Sequence, residues 1–193
     1  MGFTVKTLRM ALATVSFIAL AACGSSTASS DTTTGQAFND ADVMFAQMMI
    51  PHHEQAIEMS DIALDPTIGV VQGIRDLATQ IKAAQDPEIM QMTQWLSDWK
   101  QPLTADEGVD HSSMMSGMLT AEELSELGTL RGAAFDGRWA QAMIAHHEGA
   151  IQMAQDVLKD GKNPAVLALA NEITTSQNGE IEVLRGYLTP AQP

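Results

Sequence analysis

The chain has 193 residues, of which 24 are acidic and ten are basic, and its formal net charge is −14. Such an acidic surface disfavours nucleic acid and anionic lipid headgroups as partners. The single cysteine excludes an intrachain disulfide and a cysteine-only metal site, and the length suffices for one domain with a sizeable core.

The first 37 residues are predicted to direct and tether the protein. The apolar run 10–19 is shorter than the about 20 residues that a membrane-spanning helix needs. The Leu-Ala-Ala-Cys sequence that ends at Cys23 resembles a bacterial lipobox, with an ordinary signal peptide as the alternative. It implies removal of a signal peptide, residues 1–22, and acylation of Cys23, for example with palmitate. The Ser/Thr-rich stretch within 23–37 predicts a flexible tether. We therefore expect a lipoprotein of the cell envelope, outside the cytoplasm, that contacts the membrane through its lipid anchor only.

An eleven-residue motif occurs twice, at 49–59 and at 143–153. Eight of the eleven positions are identical, and the shared pattern is M-I-x-H-H-E-x-A-I-x-M. Each copy lies in sequence with apolar residues at helical spacing, which predicts amphipathic helices over about 40–64 and 134–159. Pro51 in the first copy predicts a kink or a restart of the helix.

The duplication extends beyond the motif, because a second apolar-periodic segment follows each copy. Each copy therefore reads as a helical hairpin, with repeat 1 at about 40–100 and repeat 2 at about 134–188. The connection, 101–133, contains a capping box at Thr120–Glu123 that predicts a short helix. The sequence thus predicts an all-α fold, a four-helix bundle of two duplicated helical hairpins in a domain of residues 38–190.

Four of the five histidines lie in the two motif copies, and methionines lie one helical turn away. Thioether sulfur and imidazole nitrogen are soft ligands that suit copper, and the methionines favour copper, as Cu(I) or Cu(II), over zinc. The alternative is that the methionines fill the core. The candidate metal ligands are His52, His53, His146, His147, Met49 and Met143, followed by Met48, Met59 and Met153.

Further candidates flank this set. A second metal cluster in the connection would comprise His111, Met114, Met115 and Met118, with a solvated linker as the alternative. Glu54 and Glu148 are candidates to orient the histidines through hydrogen bonds, or they lie on a solvated face. Glu88 and Glu180, each one turn after a glutamine, are interpreted as structural.

Two other functions remain open on the residues alone. A metal-dependent oxidoreductase is one, although the chain lacks the Glu-x-x-His pattern of di-iron bundles. A metal-free structural or interaction module is the other. No catalytic residue and no protein partner is predicted, and enzymatic activity is left undecided.

The doubled motif is similar to that of a known bacterial family, the "domain of unknown function 305" family, over about residues 40–188. The residues that carry the resemblance are the two motif copies, Gln85-x-x-Glu88-Ile89 and Leu119-Thr120-x-Glu122-Glu123-Leu124. The resemblance implies a ferritin-like helical bundle. It also implies copper binding and copper tolerance in the cell envelope, with His52, His53, His146 and His147 at the motif positions of the family.

Overall fold

The computed structural model describes residues 37–105 and 116–188. These residues belong to one compact unit, Thr34–Pro193. The predicted signal peptide, Cys23 and the tether up to residue 36 lie outside the described residues, as do His111, Met114 and Met115.

The described part of the chain is helical and contains no strand. Its five helices are α1 (Asp40–Leu64), α2 (Gln72–Asp98), α3 (Ala121–Thr129), α4 (Gly132–Asp160) and α5 (Pro164–Arg185). Helix α1 packs against α2, α4 packs against α5, and α1 and α4 join the two hairpins. The predicted all-α bundle of two helical hairpins is confirmed. None of these described helices is long and apolar enough to cross a membrane.

Polar side chains fix where the helices begin. The side chain of Asn39 accepts a hydrogen bond from the backbone of Asp42, and the Asp42 carboxylate accepts one from the backbone of Asn39. Thr120 and Glu123 form the same reciprocal pair at α3, as the sequence predicts. Asn163 caps α5. Each such cap contributes about 1 kcal/mol, because it satisfies backbone N–H groups that have no partner in the first turn.

Two prolines lie inside helices without ending them. Helix α1 is continuous through Pro51, and α2 is continuous through Pro87. The helix therefore does not restart next to His52. Each proline leaves one carbonyl of the preceding turn without its helical hydrogen bond.

The buried apolar residues form two clusters at opposite ends of the bundle. The first cluster draws on 56–63 of α1, 74–81 of α2, 135–143 of α4 and Leu184 of α5. The second draws on 45–50 of α1, 92–96 of α2, 150–157 of α4 and 166–173 of α5. The order along α1 is the reverse of that along α4, so these two central helices run antiparallel.

A layer of buried polar side chains separates the two clusters. Each long helix contributes to this polar layer, which consists of His52, His53, Gln85, His146, His147 and Gln177. All four histidines are fully buried. Burying this many polar groups costs free energy unless each finds a partner, so the layer is the part of the core whose composition packing alone does not explain.

The duplication is also visible at the hairpin turns. The carboxylate of Asp42 accepts hydrogen bonds from the backbone N–H groups of Lys162 and Asn163 at 3.1–3.2 Å. Its counterpart in the second repeat, Asp136, accepts one from Val71 at 3.4 Å. Each repeat therefore holds the turn of the other through an aspartate in the first turns of its motif helix.

Candidate functional site

The centre of the polar layer is a contact between two histidine rings. The rings of His52 and His146 have their centroids 3.8 Å apart and are tilted by 42°. The two residues occupy the same position in the two motif copies, on the adjacent helices α1 and α4. The structure therefore brings one imidazole of each copy together inside the bundle.

The other two histidines are each held by a carboxylate. His53 Nε2 lies 2.7 Å from a carboxylate oxygen of Glu88, and His147 Nε2 lies 2.6 Å from one of Glu180. In each pair the histidine is buried and the glutamate is 17–18 % exposed. A carboxylate can only accept, so each Nε2 carries the hydrogen. In the neutral ring, Nδ1 then has a free lone pair.

His52 has a different partner, the backbone of the connection. Its Nε2 lies 3.3 Å from the carbonyl oxygen of Ser116, a long hydrogen bond in which the ring donates. Neither ring nitrogen of His146 has a hydrogen-bond partner of ordinary geometry among the described residues. The two rings at the centre of the layer are therefore not equivalent.

Unpartnered buried atoms are concentrated in this layer. Among residues 37–105 and 116–188, no partner is found for the ring nitrogens His52 Nδ1, His53 Nδ1, His147 Nδ1 and both nitrogens of His146, nor for the side-chain oxygens of Gln85 and Gln177. A buried polar atom that finds no partner costs about 1–3 kcal/mol. A cation bound in the layer would use the lone pairs on these atoms.

Burial keeps the central rings uncharged. It lowers the pKa of His52 to about 3; the carbonyl of Ser116 raises this pKa, and the neighbouring His53 and His147 lower it. Burial also holds the pKa of His146 well below its usual value of 6.5, helped by the other three histidines, whereas the backbone of His52 acts weakly in the opposite direction. Neutral imidazoles are the form that binds metals.

Methionines lie on both sides of the polar layer. Met48, Met49 and Met153 belong to the second cluster, and Met59 and Met143 belong to the first. All five are buried. Met49 and Met143 each lie one helical turn before a histidine of the central pair. Buried thioethers thus occur in both core clusters.

One buried methionine was not among the candidates. Met92 of α2 is fully buried in the second cluster. Its helix carries no motif histidine, so sequence spacing does not relate it to the site.

Of the two alternatives for the candidate glutamates, the structure agrees with the solvated face. Glu54 and Glu148 are exposed, and the carboxylates that orient His53 and His147 belong to Glu88 and Glu180. The interpretation of Glu88 and Glu180 as merely structural therefore misses their hydrogen bonds to the motif. One sequence signal was available, because a glutamine precedes each glutamate by three residues in both repeats.

Of the second metal cluster, which the sequence predicts in the connection, only Met118 lies among the described residues. It is half-buried at the end of the connection, next to the segment that contacts His52.

The rings of the layer do not converge on one point. Among residues 37–105 and 116–188, no three His, Cys, Asp or Glu side chains are arranged to hold one ion. The structure shows instead two contacting imidazoles, each with a methionine one helical turn earlier in its helix. A closed structural zinc site needs four such ligands, whereas a soft cation accepts imidazole and thioether together.

Comparison with known proteins identifies the family. The model of "Domain of unknown function (DUF305)" matches residues 42–188. The chain belongs to the DUF305 family. The resemblance inferred from the doubled motif is thereby confirmed. The comparison with curated proteins found no match.

Solved structures of similar proteins have the same architecture. A DUF305 protein of Streptomyces coelicolor, thought to be secreted, is 32 % identical with a TM-score of 0.67, over 75 % of this chain and 89 % of that one. A DUF305 fragment of Deinococcus radiodurans is 32 % identical with a TM-score of 0.68, over 78 % and 96 %. CopM in its Cu(I)-bound form is 30 % identical with a TM-score of 0.62, over 76 % and 94 %. CopM has also been solved in Cu(II)-bound and Ag-bound forms.

Proposed function

We propose that this protein binds copper in its polar layer and sequesters it or passes it on outside the cytoplasm. The observation that carries the proposal is the buried layer of four histidines with five unpartnered ring nitrogens, lying between two clusters that contain methionines. In an apolar core, the buried lone pairs on these rings stay without a partner, whereas a bound cation would accept them.

The choice of copper rests on ligand softness. Thioether sulfur is a poor ligand for Mg²⁺ or Ca²⁺ and a good one for Cu(I), and imidazole binds copper in both oxidation states. The solved CopM forms support this choice, since a protein 30 % identical to this chain binds Cu(I). Both the burial and the ligand types favour Cu(I) over zinc.

The ligands would come from both repeats. His52 and His146 are in contact at the centre, and Met49 and Met143 lie one turn from them. His53 and His147 would offer Nδ1 while Glu88 and Glu180 hold their Nε2–H groups and raise the basicity of the rings. Because helices α1 and α4 carry these residues on rigid backbone, the repeats must stay packed for the site to exist.

The proposed location is the cell envelope, with Cys23 acylated as the anchor. The lipobox-like sequence before Cys23 supports this location. It is tested by metabolic labelling of the full chain with a radioactive or clickable palmitate. Label should appear in the wild-type protein and be lost in Cys23→Ser. Equal labelling of both would overturn the anchor.

Copper binding is tested on residues 34–193, which hold the compact unit and its core. Cu(I) affinity is measured by competition with bicinchoninate for the wild type, two double variants and one single-residue control. His52→Gln/His146→Gln and Met49→Leu/Met143→Leu should each weaken binding by tenfold or more. The leucine substitutions conserve volume and so preserve folding. Met90→Leu, at a methionine that is 72 % exposed on α2, is the matched control.

Three outcomes are informative. Loss of affinity in both double variants, with Met90→Leu unchanged, supports the site. Loss of affinity in the histidine variant alone would exclude Met49 and Met143 as ligands of the site. Unchanged affinity in both double variants, with circular dichroism showing a folded bundle, would overturn the proposal.

A further inference from the structure

The last part of the connection lies against the polar layer at several points. This strap, Ser116–Leu119, contacts α1 through Gln55, whose side-chain amide donates to the Leu119 carbonyl at 2.8 Å and whose carbonyl accepts from the Leu119 N–H at 2.7 Å. The Ser116 carbonyl accepts from His52 Nε2. The strap is thus fixed at both ends to the helix that carries His52.

The strap also contacts α4 closely enough to require glycine. A Cβ atom on Gly149 would lie 1.8 Å from the Ser116 carbonyl oxygen and 3.2 Å from His52 Nε2. A Cβ atom on Gly117 would lie 2.0 Å from the Ala145 carbonyl oxygen, and Gly117 has a φ of +84°. Both positions therefore exclude side chains: the strap backbone occupies the space next to Gly149, and the α4 backbone occupies the space next to Gly117.

These contacts fall where the two motif copies differ. The copies diverge at three positions: Pro51 and Ala145, Gln55 and Gly149, and Glu58 and Gln152. The strap contacts both members of the second pair. The Gln55 side chain forms hydrogen bonds with Leu119, and Gly149 has no Cβ atom at the place where the Ser116 carbonyl lies. The divergence of the copies at this position thus has a physical cause, since one strap crosses two otherwise equivalent helices.

We propose that the strap is a positioning element of the site: it holds His52 with the hydrogen on Nε2, so that this ring offers Nδ1 to a bound ion. The identity of the ion rests on the function proposed above, but the positioning does not. A ring nitrogen that faces a carbonyl oxygen must carry the hydrogen, and the other nitrogen of a neutral ring then has the lone pair.

In three of the four histidines, the same ring nitrogen, Nε2, donates a hydrogen bond. Glu88 and Glu180 accept from Nε2 of His53 and His147, and the Ser116 carbonyl accepts from Nε2 of His52. When these rings are neutral, the atom left for an ion is therefore Nδ1 in all three. The strap supplies to His52 what the two carboxylates supply to the other rings, and His146 is left without such a partner.

The test reads the tautomers directly in the metal-free protein. Residues 34–193 are labelled with ¹⁵N-histidine, and long-range ¹H–¹⁵N spectra at neutral pH assign each tautomer. His52 should show a single Nε2–H form. Gln55→Ala removes both hydrogen bonds to Leu119, and Gly149→Ala displaces the Ser116 carbonyl. In both variants His52 should become a mixture of tautomers, whereas His53 and His147 should not change.

The control is Glu58→Ala, at an exposed position of α1 that diverges between the copies; Glu58 lies outside the strap contacts described above. It should leave every tautomer as in the wild type. Gly149→Ala raises the helix propensity of its position by up to about 1 kcal/mol, so its folding is checked by the unchanged spectra of His53 and His147. A wild-type His52 with hydrogen on Nδ1, or a single Nε2–H form in both strap variants, would overturn the proposal.

A second measurement connects the strap to metal. Cu(I) is loaded, and its transfer to excess bicinchoninate is followed over time. Transfer from Gln55→Ala should be several-fold faster than from the wild type or Glu58→Ala, and an unchanged rate would overturn the role of the strap toward the ion. If the wild type binds no copper while the tautomers behave as predicted, the positioning stands and the proposed function fails.

Discussion

The two repeats are alike within each helical hairpin and different where one of them contacts the connection. His53 with Glu88 and His147 with Glu180 are the same interaction at nearly the same distance. His52 and His146 differ, because only His52 has a hydrogen bond to Ser116. A duplicated hairpin generates symmetric pairs, and a single connecting segment cannot treat both members of a pair alike.

Equivalent residues also differ away from the site, at the hairpin turns. Asp42 accepts backbone hydrogen bonds from both Lys162 and Asn163, whereas Asp136 accepts one long bond from Val71 and has one buried oxygen without a partner. Burial raises the pKa of Asp136. Equal sequence positions in a duplication therefore carry unequal energies, and substitutions at matched positions measure the inequality.

The largest effect on the free energy of unfolding is expected at Phe45 and Trp139, which occupy equivalent positions of the two repeats and lie in different core clusters. Alanine at either should lower the free energy of unfolding by about 3–5 kcal/mol. Trp139→Phe, which introduces the residue of the first repeat, should cost less but more than zero, since it leaves the Met59 carbonyl without the indole hydrogen bond. Urea denaturation measures all three, and a neutral Trp139→Phe would contradict the role of that bond.

The next effect concerns pH and the central pair. The folded-state pKa values of His52 and His146 lie below 6.5, so the unfolded chain binds protons first as pH falls. Their contribution to stability is complete above about pH 6.5 and is lost as pH falls toward 3. Two rings give up to about 2–3 kcal/mol over one pH unit in that window. Metal-free protein should thus show a falling Tm between pH 6.5 and 4.5.

His52→Gln/His146→Gln is the comparison for the pH dependence. Glutamine does not titrate, so the Tm of this variant should vary less over the same window. An equally steep loss of Tm in the variant would assign the pH dependence to other groups.

Glu88→Gln and Glu180→Gln probe the symmetric half of the comparison. Each replaces a carboxylate that accepts from a histidine Nε2–H by an amide, and each should weaken Cu(I) binding roughly tenfold to a hundredfold. Similar losses would show that the repeats contribute equally. A loss confined to one variant would show that the ion is bound by one repeat. Glu54→Gln, at an exposed motif position, is the control.

The smallest effect is expected at the aspartates. Asp42→Asn should cost about 1–2 kcal/mol, because it weakens charge-assisted hydrogen bonds to the turn before α5. Asp136→Asn should be close to neutral or stabilising, since burial opposes the charge of this carboxyl and one of its oxygens has no partner. Thermal melts at pH 7 compare the two. A larger loss for Asp136→Asn would reverse the ranking.

The fold could be predicted because its signals are local and repeated. Helical spacing of apolar residues, the capping box at Thr120 and the register of the duplication each depend on neighbours along the chain. The strap contact could not be predicted, since Ser116 meets His52 only after two helices have packed. The roles of Glu88 and Glu180 were missed for the same reason, since these residues lie on α2 and α5 and contact the histidines only after each hairpin has packed.

The sequence by itself determined the all-α class, the two hairpins and the residues able to bind a soft cation, because periodicity and residue type carry that information. Only the tertiary structure decided which rings touch, which nitrogen each ring leaves free and which repeat the connection contacts. Those properties depend on distances between α1, α2, α4, α5 and the strap, and such distances are set by the packing of side chains far apart in the chain.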